Sequence, residues 1–265
     1  MNNYLKKFTE DLQMKGKYTF TLDEIRDTFP NGKEALRLAL NRMSKKGKIV
    51  PVRKGFYVIV PPEYAGMGIL PPVLFIDELM KFLKKPYYVS LYSAAALHGA
   101  AHQQPMEFYV TTTHPPNRDI YSRGVKINYF TKTALPETGI SEIKTDTGWV
   151  KVSGTELTAY DLVFFQNKTG GLNRASTVID ELSGSMTKEN LRQLNVNGFS
   201  AASLQRLGYL LDKVLLKYEL AGEIFNVLQG KKIYPVPLNS AKLKTGHIVD
   251  PKWKVIMNET IETEL

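Results

Sequence analysis

No cysteine occurs among the 265 residues. That excludes disulfides, thiolate zinc fingers and cysteine nucleophiles. Histidine is scarce, with four residues. His98 and His102 are four apart, but Gly99 lies between them and breaks the helical face a metal pair would need. No apolar run approaches the ~18 residues of a membrane span. No phosphate loop is present: Lys168-Thr169-Gly170-Gly171 lacks the upstream glycine and strand context, and reads as a flexible turn. No serine sits in a nucleophile elbow. There is no internal repeat and no low-complexity tract. No metal or other cofactor is expected. The first twenty residues are polar and carry Glu10 and Asp11, unlike a signal peptide, so a cytoplasmic location is expected. With 43% hydrophobic and 23% charged residues, the chain reads as globular rather than disordered, with a length suited to two domains.

Acid is nearly missing from one segment. Residues 33–54 hold eight cations against the single acid Glu34, a local +7 within a chain of net +9. Charge concentrated in this way attracts a polyanion. The segment also has a shape. Tyr4, Leu5, Phe8 and Leu12 are spaced for a helix over 3–15, ended by Gly16. Thr21 and Glu24 predict a capping box for a short second helix with Leu22, Ile25 and Phe29 on its apolar side. Pro30-Asn31-Gly32 is a turn, with Asn31 placed to cap a third helix from Lys33 to about Lys46.

That third helix has two faces. Leu36, Ala39, Leu40 and Met43 form an apolar stripe; Lys33, Arg37, Asn41, Ser44 and Lys48 follow one another on the other side. Such a helix suits the major groove of DNA. Arg37 has the donors to read guanine and Asn41 the amide to read adenine. Lys33, Lys45 and Lys46 suit phosphate contacts, which position without specifying. After Gly47, residues 49–53 and 56–60 predict two strands joined through Lys54-Gly55, a basic wing carrying Arg53 and Lys54. The expectation is a winged helix-turn-helix DNA-binding domain over 1–62. The plain alternative is a solvated charged face, or a patch that binds an acidic protein partner.

Prolines and glycines at 61–72 mark a linker, and residues 73–265 form the second expected domain. Helices are expected at 73–85, 91–98, 174–183, 188–195 and 201–217. Strands are expected at 106–113, 125–131, 140–145 and 148–152, with a strand-like piece at 253–257. Ser90 is expected to cap the helix at 91, and Ser153 with Glu156 to form a second capping box. The whole is α+β, a winged helix-turn-helix followed by a larger mixed domain. One catalytic alternative exists. Glu142-Ile143-Lys144 on a strand, with Asp119 upstream, has the acid-x-lysine form of Mg-dependent nucleases, where acids hold the ion and lysine supports an activated water. A solvated hairpin shows the same pattern.

Several segments taken in order carry a resemblance. They are Lys54-Gly55-Phe56-Tyr57, residues 88–99 (YVSLYSAAALHG), residues 153–162 (SGTELTAYDL), residues 204–211 (LQRLGYLL), and a tail with Pro237-Leu238-Asn239, Gly246 and residues 253–258 (WKVIMN). Together they resemble the AbiEi family, the antitoxin halves of type IV toxin–antitoxin and abortive-infection systems. The resemblance implies a non-enzymatic protein. Its winged helix would bind inverted repeats at its own promoter as double-stranded DNA and repress the operon. Its C-terminal domain would counter a nucleotidyltransferase-type toxin without a stable complex, and no membrane partner is implied. Lys33, Arg37, Lys45, Arg53 and Lys54 fall in the family's basic helix and wing. Leu238-Asn239-Ser240 departs from the Leu-Asp/Asn-Pro type sequence expected there, which leaves the loop's conformation open. Leucines 204, 207, 210 and 211 form a core stripe, with Gly208 admitting a neighbouring helix, and Trp253, Val255 and Met257 alternate as a half-buried strand. Arg206, Lys217 and Lys242 are expected to be exposed and available for contacts.

Overall fold

The computed structural model describes residues 3–27, 29, 32–100, 107–194 and 199–262. Pro30, Asn31 and His102, named above, lie outside these residues, as do residue 106 of an expected strand and residue 195 of an expected helix. The order begins with helix α1 (Asn3–Met14), strand β1 (Thr19–Thr21), helices α2 (Leu22–Arg26) and α3 (Gly32–Lys45), and strands β2 (Ile49–Arg53) and β3 (Phe56–Ile59). Next come α4 (Ile76–Phe82), β4 (Tyr87–Val89), α5 (Leu91–Leu97), β5 (Glu107–Thr113), β6 (Ile120–Ser122), β7 (Val125–Lys132), β8 (Ile140–Thr145) and β9 (Gly148–Ser153). The remainder is α6 (Thr155–Phe164), α7 (Gly171–Ser183), α8 (Lys188–Gln193), α9 (Ala201–Tyr209) and α10 (Tyr218–Leu228), with short strands β10 (Val236–Pro237) and β11 (Val255–Ile256). The fold is mixed α+β. Two compact units divide it: 1–88 with 106–135 and 142–151, and 89–105 with 136–141 and 152–265. The chain therefore passes between units several times.

In the first unit, α1 to β3 enclose a small core of Leu5, Phe20, Ile25, Phe29, Leu36 and Leu40 with their neighbours. The capping box forms as expected: the Thr21 hydroxyl accepts from the Glu24 amide at 3.2 Å, and the Glu24 carboxylate accepts from the Thr21 amide. Strand β1 was not anticipated. It is three residues long and pairs antiparallel with β3, so the sheet order is β1-β3-β2. Phe20, on β1, is buried and stacks on Tyr57 at 5.1 Å. Gly47, at φ 68, ends α3: its amide donates to Ser44 O while the Lys48 amide reaches Met43 O, a Schellman turn. Farther along, six strands lie in the order β6-β7-β5-β4-β9-β8. β5 and β7 run parallel and β6 and β7 antiparallel, so the sheet is mixed. The helix expected at 73–85 is shorter, because Pro72–Leu74 forms a 3-10 turn and Lys84 adopts φ 54.

The second unit is mostly helical and centres on α6, which touches α5, α7 and α9. Every residue from Thr155 to Val163 is buried. Ser153 and Glu156 do not form the expected capping box; Gly154 takes the N-cap position. The Ser153 hydroxyl instead pairs with Thr158 Oγ1 at 2.7 Å. Glu156, buried rather than on the surface, accepts from the Thr187 amide at 2.7 Å at the start of α8. Ser90 sits at an N-cap position without a side-chain cap bond. Helix α10 was not anticipated, and the helix expected at 201–217 divides into α9 and a π-helical segment, Leu210–Val214.

The π segment belongs to a tight arrangement around Trp253, which is fully buried rather than half-buried. Its indole N–H donates to Asp212 Oδ2 at 2.8 Å, and Lys252 Nζ reaches the same oxygen at 2.9 Å. Gln205 Nε2 donates to Trp253 O at 2.8 Å and to Tyr234 O at 2.9 Å. The close approach at Gly208 is made by this indole and not by a helix: a Cβ there would stand 2.0 Å from Trp253 Cζ3. The Leu238-Asn239-Ser240 loop is held without a proline. The Asn239 amide donates to Asn258 Oδ1 at 3.0 Å, and Asn258 Nδ2 donates back to Asn239 O at 2.8 Å.

Alanine favours a helix over glycine by about 1 kcal/mol. Gly208→Ala is nevertheless expected to destabilise, because overpacking costs about 1–3 kcal/mol or more. Denaturant unfolding checks the sign; a stabilised variant would contradict the packing. Burial works to raise the Asp212 carboxyl, but the hydrogen bonds from Lys252 and Trp253 and the charges of Lys252 and Lys213 outweigh it and hold the group below its usual range. A lowered folded value stabilises above the unfolded value of about 3.9 and is lost as pH falls through the folded one. Asp212→Asn is therefore expected to lower stability at neutral pH and to reduce the acid-induced loss below about pH 4. Parallel melts from pH 7 to pH 2 measure both effects; an unchanged acid limb would contradict this.

Candidate nucleic-acid interface

The rotation of α3 about its axis is set by its core stripe. Leu36, Ala39 and Leu40 are buried against α1, α2 and the hairpin. Removing a buried leucine side chain costs about 2–5 kcal/mol. That exceeds what exposed ion pairs contribute, so the core decides which way the helix faces. Lys33, Arg37, Asn41 and Lys45 are thereby exposed on the outward side. Lys46 is exposed in the closing turn. Lys48 is exposed too, but the Schellman turn places it beyond the helix, at the entry to β2, and not on the helical stripe expected for it. Ser44 is half-buried.

Arg37 is engaged. Its Nε lies 3.2 Å from each carboxylate oxygen of Glu34, and Nη2 closes the fork on Oε1. The hydrogen bond and then the charge of Glu34 raise Arg37 above its ordinary value, and the reciprocal contacts lower Glu34. The two side chains remain 64% and 71% exposed, so water screens the pair and a stronger acceptor can replace it. Lys33, Arg42, Lys45, Lys46, Lys48 and Lys54 make no ion pair among the described residues.

The β2–β3 hairpin does not stand free. Gly55, at φ 82, faces Phe82 and Leu22, and the Phe56 ring lies 5.4 Å from Phe82. Arg53 is half-buried, and its Nη1 lies 3.4 Å from Arg118 O. Lys54 is exposed at the tip. Two further arginines come close to these elements: Arg118 beside β2, and Arg123, whose Nη2 donates to Ser44 O at 3.2 Å. Seventy-nine positions separate Arg123 from Ser44, so local pattern carried no signal of that contact.

The nuclease arrangement does not form. Glu142 and Lys144 lie exposed on β8, at one edge of the six-stranded sheet. Asp119 precedes β6 at the opposite edge, where its carboxylate accepts from the Tyr129 amide at 2.9 Å. No cluster of three metal-ligating residues occurs among the described residues. His98 Nε2 pairs with Ser153 O at 2.7 Å. The cations expected to be available in the second unit are engaged. Arg206 is half-buried and donates to Pro237 O at 2.8 Å, Lys217 pairs with Asp180 at 3.0 Å, and Lys242 pairs with Glu259 at 2.8 Å.

Residues 87–213 match the model of the AbiEi antitoxin C-terminal domain. These residues carry an AbiEi antitoxin C-terminal domain. The matched region runs from β4 into the π-helical segment and includes the SLYSAAALHG, SGTELTAYDL and LQRLGYLL stretches. An antitoxin role rests on this AbiEi domain, and such a role implies a toxin as counterpart. The AbiEi family is not a class of enzymes. The crystal structure of the RV2827C protein from Mycobacterium tuberculosis is similar, with a TM-score of 0.65 at 16% identity, covering 95% of this chain and 90% of that one. At that identity the likeness concerns the fold. No curated protein matches. No helix among the described residues is long and apolar enough to cross a membrane.

Glu34→Gln removes the carboxylate that holds Arg37 and one negative charge from the outward face. It is expected to tighten binding to duplex DNA of any sequence by a few-fold at low salt. Fluorescence anisotropy with a random duplex measures this; an unchanged or weakened affinity would contradict the competition.

Proposed function

We propose that this chain is a DNA-binding autorepressor as well as an antitoxin. In this reading residues 1–62 act as a winged helix-turn-helix reader, and residues 73–265 counter a nucleotidyltransferase-type toxin of a type IV system. The carrying observation is the outward face of α3, where Lys33, Arg37, Asn41 and Lys45 stand exposed opposite the buried Leu36, Ala39 and Leu40. The order of three helices, a three-stranded sheet and a basic hairpin supports the same reading. Arg37 and Asn41 are assigned to base edges. Lys33, Lys45, Lys46, Lys48 and Lys54 are assigned to phosphates, and Arg53 anchors the wing that carries Lys54. The target is double-stranded DNA with inverted repeats at the chain's own promoter. The toxin is countered without a stable complex, the protein works in the cytoplasm, and catalysis plays no part.

A gel shift with the chain's own upstream region tests this. With six phosphates neutralised, log K is expected to fall with log[salt] at a slope of about −5. Arg37→Ala is expected to weaken the specific duplex about tenfold to a hundredfold and to relax its preference over random duplex. Lys45→Ala is expected to weaken both duplexes alike. Equal loss on both from Arg37→Ala would contradict its role as a base reader, and no binding at low salt would overturn the reading.

A further inference from the structure

The hairpin of β6 and β7 lies against the candidate interface at two points. Its strands pair antiparallel with Tyr121 opposite Lys126 and Ser122 opposite Val125. The tip is Arg123-Gly124, at φ 51 and φ 82, the two left-handed residues of a type I′ turn. At that tip Arg123 Nη2 donates to Ser44 O, one of the last carbonyls of α3. A cation there also offsets the negative end of the helix dipole. At the other end of β6, the Arg118 carbonyl accepts from Arg53 at the end of β2, and β2 lies alongside β6. The hairpin is thus tied both to the closing turn of α3 and to the wing.

Its outer side is cationic. Arg118, Tyr121 and Arg123 are exposed, Tyr121 at 73%. Neither arginine makes an ion pair among the described residues. The neighbouring acids are engaged: Asp119 accepts from the Tyr129 amide, and Glu107 holds Lys126 at 2.8 Å. Lys126 Nζ also lies 5.4 Å from the centre of the Tyr121 ring.

We propose that the β6–β7 hairpin is a second arm of the DNA interface, with Arg118 and Arg123 contacting phosphates beside the groove that α3 enters. This rests on the DNA-binding reading above. The arm positions without reading sequence, since arginines at a backbone-tied turn carry charge but no register on base edges. It also enlarges the footprint beyond what a lone winged helix covers.

Arg118→Ala with Arg123→Ala, in the full chain, is measured by anisotropy on the upstream duplex and on a random duplex across a salt series. Loss of about tenfold on both duplexes is expected, with a salt slope shallower by about 2. Lys231→Ala with Lys244→Ala removes the same charge elsewhere and is expected to change neither quantity. Because Arg123 also caps α3, Arg123→Lys and Arg118→Ala alone are measured beside thermal melts, and the lysine variant is expected to keep most of the affinity. Unchanged affinity and slope in the folded double variant, while Arg37→Ala still weakens binding, would overturn the second arm and leave the reader standing. Equal losses in the Lys231/Lys244 control would reduce the effect to net charge and also overturn it. Absence of DNA binding by the unaltered chain would remove the reading itself.

Discussion

The burial of one stripe of α3 is the constraint on which the rest depends. Leu36, Ala39 and Leu40 have a single place to go, the small core they share with Leu5, Phe20, Ile25 and Ile49. Once they are there, the helix has no rotational freedom, and its cations must face water. The Thr21–Glu24 box and the Gly47 Schellman turn set where α2 begins and where α3 ends. The same turn directs the chain into β2 and so places the hairpin beside the helix. Function follows from this geometry by subtraction. The core takes Leu36, Ala39 and Leu40, and what remains outward is a row of cations with Asn41, the exposed Leu38 and one acid among them.

That acid gives the face a resting state. Glu34 occupies the guanidinium of Arg37 in the absence of a stronger partner. An exposed pair of this kind is weak enough to be exchanged for a phosphate or a base edge. It also keeps a long arginine from wandering, which lowers the entropy lost on binding. Arg123 and Arg53 do comparable work on the backbone, since each donates to a carbonyl far away in sequence.

Local signals in the sequence match the structure where the physics is local. The capping box, the glycine that ends α3, the two-stranded hairpin and the alternating strands β5, β7, β8 and β9 all occur near their expected positions. The failures share one cause. β1 is three residues long and exists only because β3 offers an edge to it. Ser153 and Glu156 spell a capping box, but α6 is surrounded by other helices: the Ser153 hydroxyl pairs with nearby Thr158 and reaches the remote Val89 O, and Glu156 answers the remote Thr187 amide instead. Trp253 looked like part of a half-exposed strand because its pocket is made by Gly208, Asp212 and Phe225, more than twenty-five positions away. Arg206 looked free because the carbonyl it serves, Pro237 O, is likewise remote. In the candidate interface, the helix and hairpin were legible, whereas the neighbouring arginines at 118 and 123 were not.

The central claim, that the outward face of α3 and its flanking hairpin meet duplex DNA, is tested most directly by lysine footprinting. The full chain is acetylated briefly with and without its upstream duplex, and each lysine is quantified by mass spectrometry. The duplex is expected to slow modification at Lys33, Lys45, Lys46, Lys48 and Lys54, while Lys231 and Lys244 react as before. Uniform reactivity in both samples, or protection confined to Lys231 and Lys244, would contradict it.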